Sequence, residues 1–144
     1  MSEINDLMWV EKYRPSKMIE FINQESTIKR LKPIIKNSSS MPHLLFTGPP
    51  GTGKTTLGII IVKSILGNNW QDYSILLNAS DERGINTIRN RVKTFARYAD
   101  NREKVPFKMI ILDEADEMTN DAQTALRRIM EETSKACRFI LIGN

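Results

Sequence analysis

A chain of 144 residues is long enough for one domain with a sizeable core and too short for two. Its 21 Lys and Arg against 17 Asp and Glu leave a net charge of +4, a basic excess compatible with nucleic acid but too small to point to it, and its one cysteine, Cys137, excludes an intrachain disulfide. No stretch approaches the ~18 apolar residues of a membrane span, and Met1 to Asp6 lack the basic-then-apolar form of a signal peptide, so the expectation is a soluble intracellular protein.

In chain order, Trp9 to Pro15 mixes aromatic, charged and proline residues without helical or strand period and reads as an ordered, extended arm, taken to run over about residues 1–22. A helix beginning at Asn23 or Ser26 would carry Ile28, Leu31, Ile34 and Ile35 on one face, with Pro33 kinking it, and Asn37 to Ser40 reads as a loop. Leu44-Leu45-Phe46 follows as a buried strand, and Thr55 to about Leu66 is an apolar-rich helix stopped at Gly67-Asn68-Asn69. Tyr73 to Asn78 is the second strand, and the polar run Asn78 to Gly84 leads into an amphipathic helix with Ile85, Ile88, Val92, Phe95 and Ala99 on its inner face. Met109 to Leu112 is the unbroken apolar run of a strand covered on both sides and ends in Asp113-Glu114. Thr119 or Asn120 caps the next helix, Gln123 completing a capping box if the cap is Asn120, and Arg138 to Ile142 is the last strand. Four strands alternating with helices imply right-handed crossovers and a parallel α/β sheet with helices on both faces.

Between the first strand and its helix stands Gly48-Pro49-Pro50-Gly51-Thr52-Gly53-Lys54-Thr55, which satisfies the phosphate-binding pattern G-x-x-x-x-G-K-[ST] at every defined position. Glycines let such a loop curl and point N–H groups inward, where the helix N-terminus adds positive potential for phosphate oxygens. Lys54 would reach the β- and γ-phosphates and Thr55 would offer its hydroxyl to Mg²⁺. Asp113 would hold the same ion through its water shell, and Glu114 would orient and polarise an attacking water. Asn78 and Asn144 fall at strand ends on the same rim, where an amide could serve Glu114, the water or the γ-phosphate, or could simply close a turn. His43, with no second histidine or cysteine pair, reads as structural, and Cys137 as a packing residue. Arg83, Arg89, Lys93, Arg127 and Arg128 lie on or before basic helices; by themselves they read as a solvated face before they read as a DNA surface.

Taken together, these motifs resemble the small subunit of replication factor C, the sliding-clamp loader within the AAA+ ATPases. The resemblance is carried by Trp9 to Pro15, Pro42 to Phe46, Gly48 to Thr56, Asn78 to Ile85, Leu112 to Asp116, and Ala122 to Glu131, and covers nearly the whole chain. It implies a P-loop AAA+ ATPase core, and an ATPase that opens a ring-shaped clamp and places it on primer–template DNA within a hetero-pentamer of loader subunits. It implies ATP and Mg²⁺ as cofactors and a site in the cytoplasm of a prokaryote or the nucleus of a eukaryote, away from membranes. Val10, Tyr13 and Arg14 would lie at the adenine end of a nucleotide site that also includes Thr56. Asn78 would be a switch on Glu114, and Asn144 the first sensor of the γ-phosphate. Arg83, Arg89 and Lys93 would follow DNA phosphates, and the helix end from Phe95 to Asn101 would meet the clamp.

Relative to that family, the chain stops at Asn144, before the Ser-Arg-Cys segment whose arginine acts on a neighbour's ATP, the last sheet strand, the lid and the collar. The expectation is therefore a nucleotide-binding core over about 23–144, truncated before the last strand and lid and almost inactive alone. Its phosphate-loop strand, Leu44 to Thr47, would be left as a bare apolar edge. Two other classes stay open. One is an assembly module that holds ATP without useful turnover, a reading supported by the lack of the trans-acting arginine. A DEAD-type helicase shares Asp113-Glu114-Ala115-Asp116, although the chain has no Ser-Ala-Thr helicase motif.

Overall fold

The apolar runs of the sequence become the inner strands of a parallel sheet in the computed structural model, which describes residues 18–22, 27–37, 40–49, 51, 53–80, 84–97 and 107–144. The elements are β1 (Met18–Ile22), α1 (Thr27–Lys36), β2 (His43–Thr47), α2 (Lys54–Leu66), β3 (Ser74–Asn78), α3 (Ile85–Arg97), β4 (Lys108–Asp113), α4 (Asn120–Glu132) and β5 (Cys137–Gly143). Short 3₁₀ segments at Gly67–Tyr73 and Ala115–Glu117 join α2 to β3 and follow β4. Among the described residues the sheet has five strands in the order β1-β2-β5-β4-β3, every pair parallel.

Every residue of β2 is buried, as are six of the seven in β5 and five of the six in β4, so these strands are covered on both sides and need no polar face. Their side chains sort by strand parity. Leu44, Phe46, Met109, Ile111, Ile140 and Ile142 join Leu31 of α1 and Ile61, Val62 and Leu66 of α2 on one face. Leu45, Ile110, Leu112, Phe139 and Leu141 join Ile88 and Val92 of α3 and Leu126, Ile129 and Met130 of α4 on the other. The alternation of period two within unbroken apolar runs thus builds two cores, and the expected α/β architecture with helices on both faces is present.

Two features differ from the sequence reading. Met18–Ile22, placed there in the arm, is a strand, so the sheet has five strands rather than four. It pairs with β2 from Met18↔His43 to Ile22↔Thr47, while β5 pairs with the other side of β2. Leu44 to Thr47 is therefore not a bare edge: its backbone N–H and C=O groups are flanked on both sides, and among the described residues the edge strands are β1 and β3. At α4 the structure decides between the two caps the sequence offered: Thr119 is the cap, its Oγ1 accepting from the N–H of Ala122 (3.1 Å). Gln123 is buried and donates its amide to the Met118 carbonyl (3.1 Å), so the box with Asn120 does not form.

His43 is structural, as expected: it is buried, its Nδ1 accepts from the N–H of Phe139 (3.0 Å), and its ring meets that phenylalanine edge-on. Cys137 is buried in the α3–α4 core. Lys108, also buried, donates its ammonium to the Phe95 carbonyl in the last turn of α3 (2.5 Å), where helix-end carbonyls favour a cation, and so ties α3 to β4.

Candidate nucleotide site

The carboxyl ends of β2, β5, β4 and β3 form one rim, and the loops that leave it carry the chemistry. After β2 the chain turns through Gly51 and Gly53, both with φ +79°, a left-handed conformation that glycine adopts without a Cβ penalty. Gly53 is the N-cap of α2 and no side chain caps that end, which leaves the first N–H groups of the helix without a side-chain cap. Lys54 folds back over the loop. Its Nζ donates to the carbonyls of Gly48 and Pro49 (2.8 Å to Pro49) and to Oδ1 of Asn144 (3.2 Å), ninety residues away at the end of β5. Burial lowers the Lys54 pKa below that of an ordinary lysine, and the nearby charges of Asp116 and Asp113 oppose the shift.

One residue on, the Thr55 hydroxyl donates to Oδ2 of Asp113 (2.7 Å), joining the phosphate loop to the end of β4 across 58 residues. Oδ1 of Asp113 accepts from the N–H of Glu114 (2.8 Å). Glu114 has φ 54° and ψ 37°, the one non-glycine residue with positive φ among those described. Such a conformation is uncommon outside glycine and concentrates at sites where surroundings hold the backbone in place.

At the end of β3, Oδ1 of Asn78 accepts from the N–H of Ser80 (2.9 Å) and lies 2.8 Å from its hydroxyl. That hydroxyl is hydrogen-bonded to Oε2 of Glu114, and the N–H of Ala79 is held by the Asp113 carbonyl (2.9 Å). The turn after β3 is thus fastened to the end of β4.

The structure brings Lys54 into contact with Asn144 and Thr55 into contact with Asp113, with the Gly48 and Pro49 carbonyls supporting the lysine. Asn78 reaches Glu114 only through Ser80. Thr56 lies exposed in the first turn of α2. Arg89 and Lys93 are half-buried, four residues apart on α3, and Arg89 donates to Oδ1 of Asn86 (3.2 Å). Val10, Tyr13, Arg14, Pro50, Thr52 and Arg83 lie outside the described residues, as does the stretch from residue 98 to 101 assigned to the clamp. Two residues without an assigned role belong to the site. Asp116 supplies charge felt by Lys54, and its place three residues after Asp113 was a visible signal; Ser80, a serine in a polar run, gave none.

Hard oxygen donors from Thr55 and Asp113 within 2.7 Å of each other suit Mg²⁺, and an ammonium beside a glycine loop at a helix N-terminus suits a polyphosphate. A loop of this kind opening a helix at the carboxyl rim of a parallel sheet defines a P-loop nucleotide-binding protein. Residues 44–144 match the model of the ATPase family associated with various cellular activities, and the chain belongs to that family. Within it, the chain is 55% identical over 141 residues to a replication factor C small subunit of Thermofilum pendens, covering 98% of this chain and 43% of the relative. It is 55% identical over 139 residues to the one from Sulfolobus acidocaldarius, covering 96% and 42%, and 53% identical over 144 residues to that of Aeropyrum pernix, covering 100% and 44%. The chain therefore spans less than half the length of these curated relatives.

Proposed function

We propose that this chain is the ATP-binding and hydrolysing part of a sliding-clamp loader subunit, working with other loader subunits in a hetero-pentamer on a sliding clamp and primer–template DNA. The observation that carries the nucleotide part is the Thr55–Asp113 hydrogen bond, because it joins the phosphate loop to the carboxylate rim with the donor set that Mg–ATP requires. The loader part is supported by the names of the relatives, which also favour it over the helicase reading.

In this reading Lys54 pairs with the β- and γ-phosphates, and Asn144, already beside its ammonium, contacts the γ-phosphate from β5. Thr55 and Asp113 would hold Mg²⁺, which supplies neutralisation of charge on the phosphate oxygens. Glu114 orients the attacking water and accepts its proton, and Asn78 acts on Glu114 from the next strand. Val10, Tyr13 and Arg14 serve the adenine end. Arg89, Lys93 and Arg83 hold DNA phosphates without reading bases, and the far end of α3 meets the clamp. No helix among the described residues is long and apolar enough to cross a membrane; an intracellular place, cytoplasmic or nuclear, goes with work on replicating DNA.

Calorimetric titration of the chain with ATP, with and without Mg²⁺, tests the nucleotide part: the wild type binds and Lys54→Ala loses most affinity. Equal affinity in both would overturn it. Turnover measured with and without partner subunits separates a working ATPase from a module that only holds ATP.

A further inference from the structure

Lysines are almost never fully buried unless their charge is met, yet Lys108 is 1% exposed and the nucleotide site makes no use of it. It opens the six-residue strand β4 that Asp113 closes, roughly 16 Å away along the strand at about 3.3 Å per residue. Its ammonium goes to the last turn of α3 instead. Nζ donates to the Phe95 carbonyl at 2.5 Å and lies 5.0 Å from the centre of the Phe95 ring, so one cation holds both the backbone and the side chain of that residue. The last carbonyls of a helix have no partner within it, and an end without an anchor frays. Here α3 ends at Arg97, Phe95 and Ala96 pack against the core shared with α4, and Lys108 supplies the anchor. The anchor itself is firmly seated: β4 lies between β3 and β5, and the Lys108 N–H donates to the Ala136 carbonyl (2.9 Å).

We propose that Lys108 is a positioning residue for clamp docking: by pinning the last turn of α3 to an inner strand, it sets in advance the surface on which the clamp sits. The inference rests on the reading that the far end of α3 meets the clamp. Lys108 acts through Phe95, since a side chain this deeply buried touches no partner, whereas Arg97 in the same turn is exposed. A docking surface that is already ordered spares association the loss of freedom that ordering it would demand. One that is ordered only part of the time lowers apparent affinity by that fraction.

The test uses the full-length subunit in its assembly, with binding to the sliding clamp measured by surface plasmon resonance and binding to ATP by calorimetry. Lys108→Met keeps the length of the side chain and removes the charge, and is expected to weaken clamp binding by about tenfold while ATP affinity holds. Hydrogen exchange should speed up at the last turn of α3 and not at the phosphate loop. Lys108→Arg, which keeps a cation for the Phe95 carbonyl, should recover most of the loss, and Lys108→Gln repeats the loss should the methionine variant fail to assemble. Arg97→Glu probes the reading of the helix end itself. If Arg97→Glu weakens clamp binding while Lys108→Met and Lys108→Gln leave it unchanged, the positioning role is wrong and the reading of the α3 end stands. If none of these variants alters clamp binding, that reading fails and the positioning role with it. Parallel loss of clamp and ATP affinity in Lys108→Met would make Lys108 a general support of the fold and would equally overturn the proposal.

Discussion

The two halves of the rim are built differently. On the phosphate-loop side, Lys54 touches Asn144 and Thr55 touches Asp113, so the loop and the start of its helix are tied directly to the ends of β5 and β4. On the β3 side, the carboxylate proposed to activate water is tied to a serine in a turn, on a strand that forms the edge of the sheet. The difference teaches that the groups proposed to hold a nucleotide and the carboxylate proposed to activate water have separate partners, the first on the phosphate loop and the inner strands, the second on the turn after β3. Substitutions on the two halves should therefore separate binding from turnover.

The largest effect is expected at Glu114. Glu114→Gln keeps size and the ability to accept from Ser80 but removes the base, so turnover in the assembled subunit should fall by roughly 10²–10⁴-fold while ATP affinity holds. Parallel loss of affinity and rate would erase the distinction between the halves. Next comes Lys54→Ala on the other half, which removes a cation from the phosphates and should weaken ATP binding by about 10–150-fold. Because burial lowers the Lys54 pKa, wild-type affinity should also begin to fall at a lower pH than an ordinary lysine would give, as the ammonium loses its proton. Lys54→Ala should abolish that fall; calorimetry across a pH series reads both.

Much of the first half was legible in the sequence, because its chemistry sits in contiguous residues. Gly48 to Thr55 and Leu112-Asp113-Glu114 each carry their own signal, and the apolar run before each places it at a strand end. The second half was legible only at Glu114, beside Asp113. Ser80 meets that carboxylate only when the turn after β3 folds against a residue 34 positions later, and no spacing rule announces that meeting. Strand β1 was hidden for a similar reason: Met18-Ile19-Glu20-Phe21-Ile22 is five residues long with no clean alternation, and it is defined by its partner β2 rather than by its own period. At α4 both Thr119 and Asn120 had the chemistry of a cap, and what decides for Thr119 is that Gln123 is buried and satisfies the Met118 carbonyl instead.

A smaller effect is expected from the basic face of α3, the helix that follows the Ser80 turn. If Lys93 contacts a DNA phosphate, Lys93→Ala in the assembled complex should weaken binding alike for all sequences and make the slope of log affinity against log salt shallower by about one. A loss confined to particular sequences would mean base reading and would overturn the assignment.

The smallest effect concerns the seat of the phosphate loop itself. Helix α2 lies so close to the sheet that a Cβ added at Gly58 would stand 3.5 Å from Ile142 and 3.7 Å from Ile111 and Ile140. These are ordinary contact distances, and Gly58 sits inside the helix, where alanine is favoured over glycine by up to about 1 kcal/mol. Gly58→Ala should therefore leave ATP affinity unchanged and raise the melting temperature by roughly 2–4 °C at most. Gly58→Leu has no such room: its extra methylenes would press into the three isoleucines and push α2 outward, costing about 1–3 kcal/mol. Since α2 begins at Lys54 and Thr55, that displacement should also weaken ATP binding, whereas the Glu114–Ser80 contact, on strands α2 does not carry, should keep its geometry. Thermal melting and calorimetry on the pair would show whether the preassembled half depends on the fit of this helix; a leucine variant that binds ATP as tightly as the alanine one would show that it does not.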